Sequence, residues 1–283
     1  MSTQREPPTV FQRPWAIGVY LSFTALFSFA FSAPLASAIG TTTGKYPRGD
    51  AELFDPGALM LIEAARHLRD AMPAVSTAWM VLAVAAFFLS FLVIGFCLAL
   101  LGTPGRARPS WAVARAFRTF PTLIFIAIVA ALAAGVSGAL VWIPGMAIAR
   151  ASEPTPPGSD IARYIVFGVL LLVIALVGIL HDLARVAAAA VGHRTYGALR
   201  AALRTAQKHS LRTLGAYTWR TVLALGIFAF SVWLGVRVGY RTSAAVWATA
   251  LIHQTALALM GLMRLSWLSR ATRLVLSVEN GVR

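Results

Sequence analysis

The chain has 283 residues, of which 58% are hydrophobic and 12% are charged, and its mean hydropathy is +0.73. This composition excludes an ordinary water-soluble globular domain, in which about a quarter of the residues are charged. The formal net charge of +15 comes from basic residues that lie between long apolar stretches. Because a nucleic-acid-binding domain concentrates its charge on one exposed face, we expect no nucleic-acid partner.

Six apolar stretches predict six transmembrane helices. Each is long enough to cross the roughly 30 Å hydrocarbon core of a bilayer as a helix. The predicted fold class is therefore an all-α polytopic membrane protein, with one domain over residues 1–283. The predicted spans are 15–39, 75–101, 119–142, 162–180, 213–236 and 244–263.

The first stretch has an alternative interpretation as a cleaved signal peptide. Arg5 and Arg13 precede it, and it ends in Ala36-Ser37-Ala38, a small-residue pattern that resembles a cleavage site. Its apolar run is longer than the roughly 7–15 residues usual in signal peptides. We expect the stretch to be retained as a transmembrane helix.

The connection after the first span predicts an amphipathic helix at about 56–72. Asp55 and Pro56 are typical of a helix cap and a first helical position. Polar and apolar residues then recur at helical spacing on different faces. This helix either lies along the outer membrane surface or covers the ends of the other spans. The polar face carries Glu63, Arg66, His67 and Asp70, and the apolar face carries Leu61, Ala65, Leu68 and Met72.

The third span contains small residues at helical spacing, which predict a close contact with a neighbouring helix. They form two adjacent stripes. One stripe is Ala127, Ala131 and Gly135, and the other is Ala130, Ala134 and Gly138.

The fourth span ends in a charged cluster, His181-Asp182-Leu-Ala-Arg185. Asp182 is the only acid among seven basic residues of the segment 181–220. We expect it to pair with Arg185, Arg220 or Arg264, and a proton relay is the alternative.

The connection between the fourth and fifth spans predicts a second amphipathic helix, at about 195–214. Its basic residues recur at every fourth position and so share one stripe. Such a stripe either binds anionic lipid headgroups or an acidic partner, or only fixes the topology. The stripe consists of Arg200, Arg204, Lys208 and Arg212.

The sixth span carries two polar residues near its middle, His253 and Gln254. Polar groups at membrane depth are functional candidates by default. They either line a water-filled path or hydrogen-bond across helices as structural links.

The distribution of charge predicts the orientation of the chain. With the N-terminus inside, the inner segments carry 17 Lys and Arg and three acids, whereas the outer segments carry eight Lys and Arg and seven acids. The positive-inside rule then places both termini in the cytoplasm. We expect a multi-pass protein of the cytoplasmic (inner) membrane. The inner segments are 1–14, 102–118, 181–220 and 264–283.

The segment around 180–220 resembles part of some uncharacterised bacterial six-span membrane-protein families. These families are similar to the membrane domain attached to some glycerophosphodiester phosphodiesterases. The resemblance rests on Asp182-Leu-Ala-Arg185, Gly192, the basic run 198–204 and Tyr217. It implies a membrane module without chemistry of its own, because the catalytic part of that family is a separate soluble barrel that this chain lacks.

No catalytic, cofactor-binding or metal-binding motif is complete in the sequence. Gly40-Thr-Thr-Thr-Gly44-Lys45 is one residue short of a phosphate loop, and the five histidines are scattered. We therefore expect no enzyme, no cofactor and no metal. The predicted function is a scaffold, accessory subunit or lipid-contacting partner, with membrane lipids and other membrane subunits as partners.

The alternative function is a small transporter or permease component that uses the middle of the sixth span. The two halves of the chain share one plan of three spans, and three spans per half would give the halves opposite orientations. Inverted repeats of this kind are typical of transporters. The halves show no similarity at the level of residues, and two unrelated three-helix hairpins are the alternative explanation of the shared plan.

Overall fold

The computed structural model describes residues 7–43, 59–105, 107–151, 158–239 and 243–281. Helices make up 94% of these residues, and none of them is in a strand. The helices are α1 (Pro14–Thr43), α2 (Leu59–Gly102), α3 (Pro109–Ala151), α4 (Gly158–Val186), α5 (Thr195–Lys208), α6 (Ser210–Val238) and α7 (Ser243–Asn280), with a 3₁₀ turn at Val10–Gln12 and a π-helical segment at Ala187–Val191.

Six of these helices, all but α5, are long and apolar enough to cross a membrane. Each predicted span lies inside one of them. A helix whose whole circumference is apolar is stable only against lipid or other apolar surfaces, and this is why the spans form. The prediction of an all-α, six-span membrane protein is confirmed.

The amphipathic helix predicted at 56–72 is not separate from the second span. Residues from Leu59 onward are helical, but the helix continues through Pro73 to Gly102 as α2. Residues 56–58 lie outside the described residues. Proline removes a single backbone hydrogen bond and its fixed φ is helical, so it does not have to end a helix. The Ser76 and Thr77 hydroxyls donate to the Pro73 carbonyl, at 3.0 and 2.8 Å.

The amphipathic helix predicted at 195–214 is shorter than expected. It ends at Lys208, because His209 leaves the helical conformation with φ −129° and ψ 37°, and α6 begins at Ser210. Arg212 therefore belongs to the first turn of α6. The four basic residues of the predicted stripe are divided between two helices.

The described residues form two compact units. The smaller unit is Val19–Ser90, the greater part of α1 and the first part of α2. Within it the Trp79 indole donates to the Phe31 carbonyl at 2.8 Å. The larger unit contains the residues up to Gly18 and those from Phe91 onward.

The core of the larger unit lies towards one end of its helices. Large side chains are fully buried at the C-terminal ends of α2 and α4 and in the second half of α7. Along the remainder of α3, α4 and α6 large apolar side chains are exposed, as lipid-facing surfaces are. The buried set includes Leu98, Leu100, Leu101, Leu183, Val186, Leu265, Trp267, Leu268 and Val275.

The helix α7 extends well beyond the span predicted at 244–263. It has 38 residues, which is about 57 Å at 1.5 Å per residue and nearly twice the thickness of the hydrocarbon core. The N-terminal segment packs beside this extension, since the Ser269 hydroxyl donates to the Pro8 carbonyl at 3.3 Å. The Arg13 guanidinium donates to the Thr103 carbonyl in the α2–α3 loop.

Four segments of the larger unit therefore meet at one end of it, which we call the basic end. They are residues 7–13, 102–118 and 187–212, and α7 from residue 264 onward. The Arg115 guanidinium reaches the Ala189 carbonyl at 3.1 Å, and His193 Nε2 lies 3.1 Å from Glu279 Oε2. The first contact joins 102–118 to 187–212, and the second joins 187–212 to the end of α7.

The two predicted stripes of small residues on α3 differ in their surroundings. Ala131 and Gly135 are exposed, and a Cβ at Gly135 would meet nothing within 4 Å. A Cβ at Gly145 would lie 2.6 Å from Val166 Cγ2. Close approach between α3 and α4 is thus set by Gly145, with Gly138 of the second predicted stripe at its edge.

Candidate functional site at the basic end

Asp182 is the centre of the charged cluster at the basic end. It is 1% exposed, and its carboxylate accepts two hydrogen bonds from the Arg264 guanidinium, at 2.6 and 2.5 Å. The Trp267 indole donates to the same carboxylate at 2.8 Å, and Arg185 Nη1 lies 4.0 Å away. A buried carboxylate is stable only when its charge and lone pairs are satisfied in this way.

The arrangement around Asp182 links α4 to α7. Arg264 and Trp267 are three residues apart on α7, so they share one face and reach one carboxylate. The Tyr217 ring of α6 packs edge-on against the Trp267 ring, with centroids 5.3 Å apart. Because Arg264 and Trp267 of α7 both donate to the Asp182 side chain of α4, the cluster holds these two helices together.

Arg220, the other predicted partner of Asp182, has different contacts. Its guanidinium donates to the Ser266 hydroxyl at 3.0 Å and to the Ala216 carbonyl at 2.8 Å. It also lies over the Trp219 ring, 5.0 Å from the centroid. The nearby Arg185 lies over the Phe91 ring at 5.3 Å. Aromatic faces thus stabilise the charges of both arginines.

His181 lies beside Asp182 in the chain but does not bind it in the described structure. Its Nε2 atom is buried without a hydrogen-bond partner among the described residues. The side chain lines an apolar cavity of about 220 Å³ between α3, α4 and α5. The cavity walls include Ile126, Ala130, Val177, Ala202 and Leu203.

A π-helical segment connects the cluster to α5. It consists of four alanines and Val191, and it ends at Gly192, whose φ of +94° is in the left-handed region. Small side chains let the α2 terminus approach closely, since a Cβ at Gly102 would lie 2.5 Å from Ala190 Cβ. The Arg115 side chain donates to the Ala189 carbonyl, a backbone acceptor in the segment. π-Helical turns leave such carbonyls with poorer partners than α-helices do.

The helix α5 presents one apolar and one basic face. Ala198, Ala201, Ala202 and Thr205 are buried, whereas Arg200, Arg204 and Lys208 are exposed. Arg212 is also exposed, on the first turn of α6. The buried face explains why α5 stays against the bundle, and the exposed face forms a basic surface of three residues with Arg212 nearby.

The polar residues of the sixth span lie at a helix contact. Gly235 of α6 faces His253 of α7, because a Cβ at Gly235 would lie 3.0 Å from the His253 Nε2 atom and 3.3 Å from Thr249 Cγ2. Thr249 is 2% exposed. The contact of His253 is one of packing, without a hydrogen bond to a described residue. Gln254 is exposed on a neighbouring face of α7.

Sequence reasoning missed two contributors to this site. Trp267 was an unremarked apolar residue, although its position three residues after Arg264 is the spacing that places both on one face. Arg115 was counted only as an inner-loop charge. Its target is the Ala189 carbonyl in the π-helical segment, and no sequence pattern in the chain indicates such a segment.

Within the described ranges, His, Cys, Asp and Glu side chains form no group of three or more that could hold a metal ion. Comparison with known proteins gives no match to a family model, a curated protein or a solved structure.

Proposed function

We propose that the protein is a non-enzymatic module of the cytoplasmic (inner) membrane, and that its basic end faces the cytoplasm and binds anionic lipid headgroups. In this role it acts as a scaffold or accessory subunit of a membrane complex. One observation carries the proposal. The four segments that the positive-inside rule assigns to the cytoplasm meet at the same end of the larger unit, through Arg13, Arg115, His193 and Ser269.

The exposed face of α5 supports the lipid-binding part of the proposal. A helix that buries alanines against the bundle and exposes three cations beside the ends of the spans is placed to contact headgroups. Each basic residue near an anionic surface contributes about 1 kcal/mol, and this attraction falls off within a Debye length.

The state of Asp182 supports a structural role over a catalytic one. The carboxylate is held by Arg264 and Trp267 of α7 and is nearly inaccessible. A general acid or base needs a proton that substrate can reach. The packing of His253 against Gly235 likewise supports a helix contact in the sixth span in preference to a transport path.

Lipid dependence of stability tests the proposal. We expect phosphatidylglycerol to raise the thermal unfolding midpoint of the detergent-purified protein more than phosphatidylcholine does. The variant Arg200→Gln/Arg204→Gln/Lys208→Gln should lose most of that difference, because about 3 kcal/mol of attraction is removed. High salt should reduce the difference in the wild-type protein.

The matched control removes three basic residues elsewhere. Arg66, Arg69 and Arg150 are also exposed and belong to the segments predicted to lie outside. Their replacement with glutamine should leave the phosphatidylglycerol effect unchanged. Equal lipid effects in the α5 variant and the wild-type protein would contradict the proposal.

A further inference from the structure

A polar cleft of about 690 Å³ lies at the basic end, apart from the exposed face of α5. Its walls come from the N-terminal segment, the α2–α3 loop, the first turn of α6 and the extension of α7. The polar lining residues are His209, Arg212, Arg270, Arg273, Ser277 and Asn280.

The described residues that line the cleft include three arginines and no acid. Arg270 and Arg273 lie on α7 and Arg212 faces them from α6. The only acid of the sequence after Asp182 is Glu279, and its carboxylate is bound to His193 at 3.1 Å. Arg220 is close enough to be repelled by both Arg270 and Arg273. Like charges held together in this way favour a bound anion.

One lining residue has a donor without a partner. The Nε atom of Arg273 is buried and has no hydrogen-bond acceptor among the described residues, and an unsatisfied donor on a charged group is costly. Because Arg273 lines the cleft, a shift of its side chain towards an oxyanion there would give this donor an acceptor.

We propose that this cleft binds a phosphate group, carried by a lipid headgroup or by a small soluble molecule. Guanidinium groups bind phosphate through paired N–H donors. Three of them, with the Asn280 side chain, offer more charge and more donors than a single carboxylate requires. The volume exceeds that of one phosphate ion, so the cleft has room for a further group on the ligand.

The inference adds a ligand class to the proposed function. It rests on the proposed function only for which side of the membrane the cleft faces. The two proposals depend on different residues. The cleft variant is Arg270→Gln/Arg273→Gln, and the matched control is Arg66→Gln/Arg69→Gln, two exposed arginines of α2 that belong neither to the cleft nor to α5. A second cleft variant, Arg212→Gln, changes an exposed residue and leaves the α7 packing intact.

The experiment measures thermal unfolding of the full-length protein in detergent, with each probe at matched ionic strength. Pyrophosphate tests the soluble source, phosphatidylglycerol micelles test the headgroup, and malonate is the carboxylate control. We expect the wild-type protein and the α2 control to be stabilised by one phosphate probe or by both, and less by malonate. Both cleft variants should bind that probe roughly tenfold more weakly or worse, as expected for the loss of a charged hydrogen bond.

The probe that stabilises the protein identifies the source of the phosphate group. A response to pyrophosphate in lipid-free detergent identifies a soluble ligand, and a response to phosphatidylglycerol alone identifies a headgroup. No response to either probe, an equal response to malonate, or wild-type affinity in both cleft variants would overturn the inference. Loss of the phosphatidylglycerol response in the α5 variant of the proposed function, with both cleft variants responding as the wild-type protein does, would leave the proposed function standing and contradict the cleft.

Discussion

Asp182 is the residue on which the basic end depends most. Its carboxylate neutralises Arg264 across the α4–α7 contact and is within 4.0 Å of Arg185. Removing one member of a buried ion pair leaves the other charge without compensation, which costs more than the pair contributes.

The variant Asp182→Asn should therefore lower the free energy of unfolding by about 3 kcal/mol. This is the lower end of the range for buried ion pairs, because the Arg264 side chain is 34% exposed. Denaturant unfolding in detergent measures this. Asp160→Asn is the matched control. Its pair with Arg163 is exposed, with 3.7 Å between the charged atoms, and its loss should cost about 1 kcal/mol or less. Similar losses in both variants would refute this account of Asp182.

The six spans could be predicted from the sequence because the length of each apolar stretch can be counted directly along the chain. The break at His209 and the continuity through Pro73 could not, since both residues are compatible with either outcome and tertiary contacts decide. The extension of α7 was also missed. Its buried residues Leu268, Val275 and Val278 pack against partners that are distant in sequence, and hydropathy over a local window contains no information on such partners.

The terminus of α2 makes the closest approach to the π-helical segment. Gly102→Ala should destabilise the protein by about 1–3 kcal/mol, because the new methyl group would lie 2.5 Å from Ala190 Cβ. Gly168→Ala on α4 is the control, since nothing lies within 4 Å of its Cβ position. That change should be neutral or stabilise by about 0.5–1 kcal/mol. Thermal unfolding in detergent compares the two, and an equal or smaller loss for Gly102→Ala would contradict the close approach.

The α6–α7 contact can be tested by a double-mutant cycle. Gly235→Ala should cost about 1–3 kcal/mol because the His253 ring must shift. In a His253→Ala background the same change should cost less, with a coupling of about 0.5–3 kcal/mol. Gly226→Ala, on the same helix with no neighbour within 4 Å, should show no coupling. Additive effects at 235 and 253 would show that the two residues do not pack together.

At the scale of the whole molecule, the helices of the two halves differ more than their shared plan of three spans suggested. The amphipathic segment of the first half is continuous with α2, whereas α5 of the second half is a separate helix packed at the basic end. The shared plan of an inverted repeat is therefore not reproduced by the helices.

The central claim is that the basic end faces the cytoplasm. Single cysteines at positions 156, 207 and 281, in a Cys97→Ala background, can be probed with a membrane-impermeant maleimide in intact cells and after permeabilisation. Gln207 and Gly281 are exposed at the basic end, and position 156 lies in the predicted outer loop. We predict labelling at 156 in intact cells and at 207 and 281 only after permeabilisation. Labelling of 207 or 281 from outside intact cells would contradict the claim.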